Sequence, residues 1–446
     1  MDRLAHLADR LSNVGNRTRH VAIIGAGWAG MSAAVELAMR DVRVTVFEAA
    51  QTLGGRARRV VANGITLDNG LHILIGAYRE TLRMIHTVSV PGKPTGLLRL
   101  PLQLRIEPGF RMRARRLPRP LHVAAALLLA HGLEFSAKLA AIRFMRTVKS
   151  RQFQCEAGTT VTALLQLHRQ PDSLVNYLWN PLCISALNTN PDRADAQMFL
   201  TVLRDSLDGP RSASDLLFPQ VDFSALFPEP AAQYVLRHGG QMRRGETVTS
   251  LQVGEDGIDV TTSSTERYSH VIIAVGPHRL EQVAGNIPQL ASQLEMVRGF
   301  EYQPIYSVFL QYPRQVTLPA VMIGIRDSVV QWVFDRGQLC NQPGVMGVVI
   351  SASGPHQALA RDELADRVHD ELARRFAFPK PQWTQVIAEK RATFASVPQL
   401  ARPANITPIP GVFLAGDYTE SPYPATLEAA VRSGTLCAQR IAGHYD

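Results

Sequence analysis

Three glycines and one acid near the N-terminus have the types and spacing that hold a phosphate-bearing dinucleotide. Gly25, Gly27 and Gly30 follow the apolar residues 21–24, and Glu48 comes about 20 residues further on. In this pattern the first glycine allows a sharp turn, the second lets a pyrophosphate approach the backbone, and the third lets a helix pack closely on a strand. An acid at that distance accepts hydrogen bonds from a ribose. The spacing therefore predicts a dinucleotide site.

The elements that must position these residues are also visible in the sequence. An apolar strand precedes the glycines, a helical run covers residues 31–38, and a second strand covers residues 42–47 and ends at Glu48. Free N–H groups and the positive end of the helix dipole then face the phosphates. A glycine pattern alone is weak, since an ordinary strand–turn–helix carries it too, but these flanking elements favour the dinucleotide interpretation.

Two further stretches carry residues suited to the same ligand. Gly54, Gly55 and Arg56 follow the acid, and the arginine is able to contact a phosphate with a charge-assisted hydrogen bond. Near the C-terminus an apolar strand ends at Gly416 and Asp417, and a helix is predicted to begin after Pro424. These stretches resemble the extended signature of the amine oxidase and carotenoid desaturase flavoproteins, and the resemblance implies FAD.

The resemblance implies a role for each element of that signature. Asp417 is expected near the ribityl–pyrophosphate part of FAD, and a strand is expected around Val248 whose backbone faces the adenine. The helix start at Thr426 and Leu427 is expected to point its N–H groups at the N1–C2=O edge of the flavin, where a helix N-terminus stabilises negative charge. Gly55 and Arg56 complete the predicted cofactor contacts.

The length of 446 residues predicts more than one domain. We expect an α/β fold with a Rossmann-like FAD-binding domain of the amine oxidase/phytoene desaturase type and an inserted α+β substrate domain. The FAD-binding domain is predicted to comprise residues 1–95, 231–298 and 395–446, and the substrate domain residues 96–230 and 299–394. Strand-like segments that are expected to wall a substrate cavity are residues 302–310, 321–325, 329–334 and 345–350.

Composition and charge restrict the partners. The chain is 46% hydrophobic and 19% charged, and its net charge is +9. Its four cysteines are widely spaced without a CxxC pair, which favours a reducing, cytoplasmic compartment. No basic–aromatic interleaving or known module indicates nucleic-acid binding. No stretch predicts a transmembrane helix.

One segment leaves two interpretations open. Arginines at 111, 113, 115, 116 and 119 precede an apolar run at residues 121–130. This pattern fits a peripheral contact with the inner face of a membrane, in which cations meet head groups and an apolar helix face enters the acyl layer. It fits a core helix behind a solvated basic loop equally well.

Residues 67–78, 178–189 and 199–200 lie outside the shared FAD signature, and they resemble the hydroxysqualene dehydroxylases, the squalene-associated FAD-dependent desaturases. The resemblance spans the whole chain. It implies reductive removal of the allylic hydroxyl of hydroxysqualene to give squalene, by hydride transfer from reduced flavin, in hopanoid biosynthesis. The implied partners are a long apolar isoprenoid and the upstream squalene-pathway synthases.

The implied reaction needs an acid, because hydroxide is a poor leaving group. In the superfamily the turn that corresponds to residues 68–72 passes near the flavin ring. Asp68, His72 and Tyr423 are therefore candidates for acid or cation-stabilising roles, although His72 is as readily explained as a satisfied buried histidine. An uncharged substrate must be held by burial of apolar area, at about 25 cal/mol per Å², which predicts a long apolar tunnel that opens towards the membrane.

Three other functions share these features. A carotenoid-type phytoene desaturase has the same fold and a lipid substrate. An amine oxidase needs two aromatic side chains beside the flavin, and only Tyr423 is a candidate for one of them. A non-enzymatic escort of prenylated GTPases shares the glycine turn without binding FAD, and Gly416 and Asp417 argue against it.

Overall fold

The structure, a computed structural model, describes residues 19–118 and 121–443. Residues 1–18, which the sequence assigns to the first domain, lie outside the described residues, as do Arg119 of the predicted arginine cluster and residues 444–446.

Twenty strands lie in the described part of the chain: β1 (His20–Ile24), β2 (Arg43–Glu48), β3 (Arg59–Ala62), β4 (Ile65–Asp68), β5 (Leu74–Ile75), β6 (Leu97–Leu100), β7 (Gln103–Glu107), β8 (Phe110–Arg113), β9 (Leu216–Pro219), β10 (Gln241–Arg244), β11 (Ser250–Gly254), β12 (Gly257–Thr261), β13 (Thr265–Tyr268), β14 (His270–Ile273), β15 (Tyr302–Gln311), β16 (Met322–Ile325), β17 (Trp332–Asp335), β18 (Val345–Ser351), β19 (Trp383–Phe394) and β20 (Val412–Leu414).

The α-helices of the same residues are α1 (Trp28–Ala38), α2 (Arg79–Val88), α3 (Leu121–Leu128), α4 (Phe135–Ser150), α5 (Val161–Leu167), α6 (Asp172–Leu174), α7 (Asn180–Leu187), α8 (Ala196–Leu207), α9 (Phe223–Leu226), α10 (Pro228–Arg237), α11 (Leu280–Ala284), α12 (Ala291–Arg298), α13 (Arg336–Cys340), α14 (Arg361–Phe376) and α15 (Leu427–Ala442). A π-helical turn, Val175–Trp179, joins α6 to α7.

A five-stranded parallel sheet in the order β10-β2-β1-β14-β20 forms the first layer of the fold. The outward order from β1 is that of doubly wound dinucleotide-binding folds. In the register of the sheet, Ile24 lies opposite Phe47 on one side and Ile273 on the other. The predicted strands at residues 21–24 and 42–47 are confirmed as β1 and β2, and their carboxyl ends meet that of β14 at one edge.

A seven-stranded mixed sheet, in the order β19-β15-β18-β17-β16-β7-β8, forms the second layer. The four strand-like segments predicted between residues 302 and 350 are confirmed as β15 to β18, and they share this sheet. Helices α3 to α8 cover one face, where Phe334 and Val349 belong to the same core as Trp179 and Phe199. Helix α14 covers the other face.

One predicted strand is wrong. Val248 was expected inside a strand, but residues 246–249 form none, and β11 begins at Ser250. The chain crosses here from the parallel sheet, which contains β10, to a separate antiparallel sheet of β11, β12 and β13. Val248 is nevertheless buried, because its side chain belongs to the core that includes Phe47 and Tyr268.

The segment at residues 121–130, for which the sequence left two interpretations open, has one buried and one exposed side. On one side of α3, His122, Ala126 and Leu127 are buried against the core under α4. On the other side, Leu121 and Leu128 are 55% and 41% exposed. No helix in residues 19–118 and 121–443 combines the length and apolar character that crossing a bilayer requires.

Helix α15 packs on α1 so closely that one position has no room for a side chain. A Cβ atom on Gly434 would lie 2.0 Å from the backbone oxygen of Ala29. Nearby, the Ser32 hydroxyl donates a hydrogen bond to the Val431 carbonyl at 3.1 Å. The buried Glu428 carboxylate in the first turn of α15 accepts the Thr81 N–H at 2.9 Å, which caps α2. These contacts fix the start of α15 relative to the parallel sheet.

Gly434→Ala is expected to destabilise the protein by about 1–3 kcal/mol, because the new methyl overpacks the α1–α15 contact. The direction of the change in unfolding free energy is informative, because replacement of glycine by alanine inside a helix otherwise stabilises by roughly 0.5–1 kcal/mol. Urea unfolding followed by circular dichroism measures the change. Leu436→Ala is the control, because Leu436 lies on the same helix and is 40% exposed. A Gly434→Ala protein as stable as the wild type would contradict this packing.

Candidate active site

Two glycine turns face each other at the carboxyl edge of the parallel sheet. Gly25 adopts a φ of +108°, and a Cβ on Gly30 would lie 1.9 Å from the Gly25 oxygen, so both positions require glycine. The Gly54 N–H donates to the Ala26 carbonyl at 3.0 Å and joins the second turn to the first. A Cβ on Gly27 would meet only the Gly55 Cα, at 3.9 Å. The backbones thus border a groove that side chains at these positions would fill.

Glu48 lies beside this groove at the end of β2. One carboxylate oxygen accepts the Ala26 N–H at 2.8 Å, and the other accepts the Ala50 N–H at 2.9 Å. An ionised carboxylate has about four lone-pair sites, so each oxygen keeps one for another donor. The predicted acid is therefore held in place by the backbone while it is still able to accept hydrogen bonds from a ligand.

Arg56 and Asp417, predicted from stretches far apart in the chain, form an ion pair. An Arg56 guanidinium nitrogen lies 2.5 Å from an Asp417 carboxylate oxygen, and a second nitrogen donates to the Ala392 carbonyl at 2.7 Å. Asp417 is buried and follows β20. The predicted helix after Pro424 is confirmed, because α15 begins at Leu427 and the Thr426 hydroxyl caps it by accepting the Ala429 N–H at 3.2 Å.

Asp68 and His72 line a small cavity, which we call the inner pocket. Its volume is about 20 Å³, and it is bordered by Asp68, His72, Arg336, Phe218, Phe223 and Phe334 with a few further apolar side chains. A water molecule needs roughly 10–15 Å³ of such space, so the inner pocket has room for about one. A carboxyl, an imidazole, a thiol and a guanidinium group therefore meet among aromatic rings, from Asp68, His72, Cys340 and Arg336.

Asp68 is a buried carboxyl with two partners. One oxygen accepts the Phe223 N–H at 2.8 Å, and the other lies 3.7 Å from an Arg336 guanidinium nitrogen. Burial raises the pKa of Asp68 to about 6, against the opposing effects of the Phe223 hydrogen bond and the Arg336 charge. A fraction of the carboxyl is therefore protonated near neutral pH, which is what a general acid requires.

His72 presents an uncommitted imidazole to the same pocket. Its ring packs edge-on to Phe223 with centroids 5.1 Å apart. Burial lowers the pKa of His72 to about 4, and the nearby Arg56 guanidinium adds to the effect. The imidazole is thus neutral at pH 7. His72 is partly buried, and within the described residues its ring makes no hydrogen bond.

Tyr423 lies apart from the inner pocket. Its hydroxyl donates to Asp205 at 2.6 Å, and the Arg432 guanidinium stacks 5.0 Å above its ring. Burial raises the pKa of Tyr423 to about 12, and the Asp205 hydrogen bond contributes. The structure therefore brings together two of the three predicted catalytic residues, Asp68 and His72, and places Tyr423 in a separate polar cluster.

Arg336 is the pocket residue that sequence reasoning missed. It follows β17, more than two hundred residues after Asp68, and its side chain is only 5% exposed. Besides Asp68, it contacts Gln342 at 2.6 Å and lies over the Phe309 ring at 5.6 Å. The only signal in the sequence is one arginine directly after an apolar strand, and that is too common a pattern to single it out.

Comparison with known proteins identifies the family. The family model described as flavin containing amine oxidoreductase matches residues 28–442. The chain belongs to this family. A hydroxysqualene dehydroxylase of Rhodopseudomonas palustris is 28% identical, over 95% of this chain and 98% of the relative. A 15-cis-phytoene desaturase of Solanum lycopersicum is 25% identical, over 96% of this chain and 78% of the relative.

Solved structures of the family share the fold. Cyclohexylamine oxidase from Brevibacterium oxydans is similar with a TM-score of 0.68 at 18% identity, over 95% of this chain and 99% of that one. The predicted α/β fold of the amine oxidase and phytoene desaturase type is confirmed, and so is the cofactor. This protein is an FAD-dependent oxidoreductase.

The described residues fit FAD. The groove between Gly27 and Gly55 is free of side chains where a pyrophosphate must approach backbone, and Glu48 keeps acceptor sites for a ribose. We infer that Arg56, which follows Gly55 in the chain, and its ion-pair partner Asp417 hold the phosphate and ribityl parts, and that the α15 N-terminus faces the flavin ring. The predicted contact of Val248 with adenine stays a prediction.

Glu48→Gln is expected to raise the Kd for FAD about 10- to 100-fold, because hydrogen bonds to a charged group contribute roughly 1.5–3 kcal/mol. Titration of the apoprotein with FAD, followed by quenching of flavin fluorescence, measures the affinity. Glu255→Gln, at an exposed position on the antiparallel hairpin, serves as the control. Unchanged affinity in Glu48→Gln would show that Glu48 does not contact the cofactor.

Proposed function

We propose that this protein reductively removes the allylic hydroxyl of hydroxysqualene and releases squalene and water. The observation that carries the proposal is the inner pocket, where a buried carboxyl of raised pKa and a neutral imidazole lie among aromatic side chains. Relatives that are named hydroxysqualene dehydroxylase support the choice of substrate. We place the reaction in squalene and hopanoid biosynthesis, with the upstream synthases as expected partners.

The inner pocket suits cleavage of an allylic C–O bond. Protonated Asp68 donates its proton to the departing hydroxyl, which leaves as water. Arg336 then balances the carboxylate that remains, at 3.7 Å. The faces of Phe218 and Phe223 attract positive charge that develops on the allylic carbon. His72, which is neutral, holds the oxygen by a hydrogen bond. Reduced FAD, when bound, supplies the hydride that replaces the hydroxyl.

Phytoene desaturation is the second candidate, because relatives with that name align over most of this chain. Desaturation of a hydrocarbon transfers a hydride to the flavin and a proton to a base, and the ionised form of Asp68 is able to accept that proton, so the inner pocket fits both reactions. The relatives named hydroxysqualene dehydroxylase, which are 28% identical and align over nearly their whole length, favour dehydroxylation.

Product analysis distinguishes these functions. The purified holoenzyme is photoreduced without oxygen and given hydroxysqualene, and in a parallel reaction the oxidised holoenzyme is given phytoene. Squalene from the first reaction and no change in the second is the expected result. Desaturated phytoene without squalene would instead identify a desaturase, and a colourless protein that takes up no FAD would favour an escort role.

Asp68→Asn is expected to lower kcat at least about 100-fold, the usual contribution of a general acid. In the wild type, kcat falls as the pH rises above about 6, because the protonated form of Asp68 is the active one and the pKa of Asp68 lies there. Asp68→Asn loses this pH dependence. His72→Gln slows turnover but keeps both bound FAD and the wild-type pH profile. An unaltered profile in Asp68→Asn would assign the acid elsewhere.

We also propose a peripheral contact with an anionic membrane at the inner face of the bilayer. Leu129, Phe135 and Leu139 are 51%, 66% and 41% exposed, and they extend the apolar side of α3 onto the start of α4. Beside them Arg113, Arg115 and Arg116 are exposed, and among the described residues none of the three has an acidic partner. Cations next to an apolar surface suit a bilayer with anionic head groups.

Replacement of Arg113, Arg115 and Arg116 by Gln is expected to reduce binding to phosphatidylglycerol vesicles at least about tenfold, since each arginine near such a surface contributes roughly 1 kcal/mol. Co-sedimentation with phosphatidylglycerol and phosphatidylcholine vesicles measures binding. The matched control replaces Arg367, Arg374 and Arg375 by Gln, because all three are exposed on α14. An equal loss of vesicle binding in the control would show that binding depends only on the net charge of the protein.

A further inference from the structure

Two cavities of very different size share one wall. The inner pocket holds about 20 Å³, whereas a second cavity, here called the outer cavity, holds about 1040 Å³ and opens to the surface beside β7 and β8. Phe218 borders both, although only 1% of its surface is exposed. A side chain that is buried and yet reaches two cavities is a partition between them.

Other strand residues show the same division between the two cavities. Phe218 lies on β9 opposite Leu98 of β6. In the seven-stranded sheet, Met322 of β16 is the cross-strand partner of Phe334 of β17. Met322 borders the outer cavity and Phe334 borders the inner pocket. The two cavities are therefore adjacent, with packed apolar side chains between them, and Phe218 is the side chain that borders both.

The sizes assign different roles. Pockets for small molecules usually hold about 300–1,000 Å³, so the outer cavity has room for a large ligand while the inner pocket has room for about one water. The outer cavity has an apolar floor of Leu100, Leu104, Met322 and Phe218. Only a small part of a long molecule is able to reach Asp68 and His72 past Phe218.

We propose that the outer cavity holds the carbon chain of an uncharged apolar substrate and that Phe218 controls which part of that chain reaches the inner pocket. The inference deepens the proposed function and rests on it for the identity of the substrate, a long isoprenoid alcohol. Phe218 is thus a residue that determines substrate position and specificity.

The rim of the outer cavity is basic, and an uncharged chain gives no use for six arginines there: Arg99, Arg105, Arg111, Arg113, Arg115 and Arg116. Arg99 and Arg105 are paired with Asp215 and Glu107. Arginine stems also cover apolar surface while their charged heads stay in water. The arginines therefore do not conflict with the apolar part of the lining, and Arg113, Arg115 and Arg116 are the same residues as those of the proposed membrane contact.

The rate at which a native thiol is modified measures access past Phe218 to the inner pocket, and this measurement does not require catalysis. Cys340 borders the inner pocket, and its thiol lies 3.6 Å from the Pro219 carbonyl next to Phe218. The holoenzyme is treated with an N-alkyl maleimide, and the rate of modification at Cys340 is followed by peptide mass spectrometry. Cys155, which is partly exposed as Cys340 is but does not border the inner pocket, gives the reference rate.

Phe218→Ala is expected to speed modification of Cys340 at least about tenfold, a change of ~1.4 kcal/mol in the barrier, and Phe218→Trp is expected not to speed it. Leu217→Ala is the matched control, because Leu217 is a buried neighbour on the same strand whose side chain belongs to a different core. Squalene should protect Cys340 in Phe218→Ala. The same rate in Phe218→Ala and Leu217→Ala would overturn the partition.

Turnover provides the second readout. Phe218→Trp should lower kcat/KM for hydroxysqualene more than for a ten-carbon allylic alcohol, since the longer chain must pass the partition. Equal losses for both alcohols would overturn the specificity role of Phe218. If the thiol rates respond as expected and no variant or wild type converts hydroxysqualene, the proposed substrate fails while the partition stands.

Discussion

The parallel pairing of β1 with β2 and β14 is the interaction on which the rest of the structure depends. It brings the carboxyl ends of three strands to one edge, so that the turn after Ile24 and the acid after Phe47 become neighbours. The hydrogen bond from the Ala26 N–H to Glu48 then joins them directly. Without this register the glycines would form an ordinary turn and Glu48 an ordinary surface acid.

The cofactor end and the chemical end of the site are built differently. At the cofactor end the contacts come from backbone and from residues near turns, and glycine is required because no Cβ fits at Gly25 or Gly30. At the chemical end a carboxyl, an imidazole and an arginine come from three separate segments and meet among aromatic rings. Their chemistry depends on burial, which raises the pKa of Asp68 and lowers the pKa of His72. Both changes favour the neutral form of the side chain.

Sequence reasoning succeeded where a property is local. The glycine turn, the acid after β2 and the start of α15 each follow from a few adjacent residues, because strand, turn and helix signals are short-range. It failed where distant segments combine. Arg336 and Phe218 become pocket residues only after two sheets pack together, and Val248 is a crossover between sheets rather than a strand residue. Tyr423 pairs with Asp205, which nothing near either residue indicates.

We propose that the reacting carbon lies in the inner pocket. A crystal structure of the FAD-bound enzyme with squalene, the proposed product, tests this placement. We predict that a carbon near the middle of squalene lies within ~4 Å of Asp68 or His72, the distance of van der Waals contact, and that the rest of the chain extends past Phe218 into the outer cavity. Squalene bound with no atom near Asp68 or His72 would contradict the placement of the reacting carbon in the inner pocket.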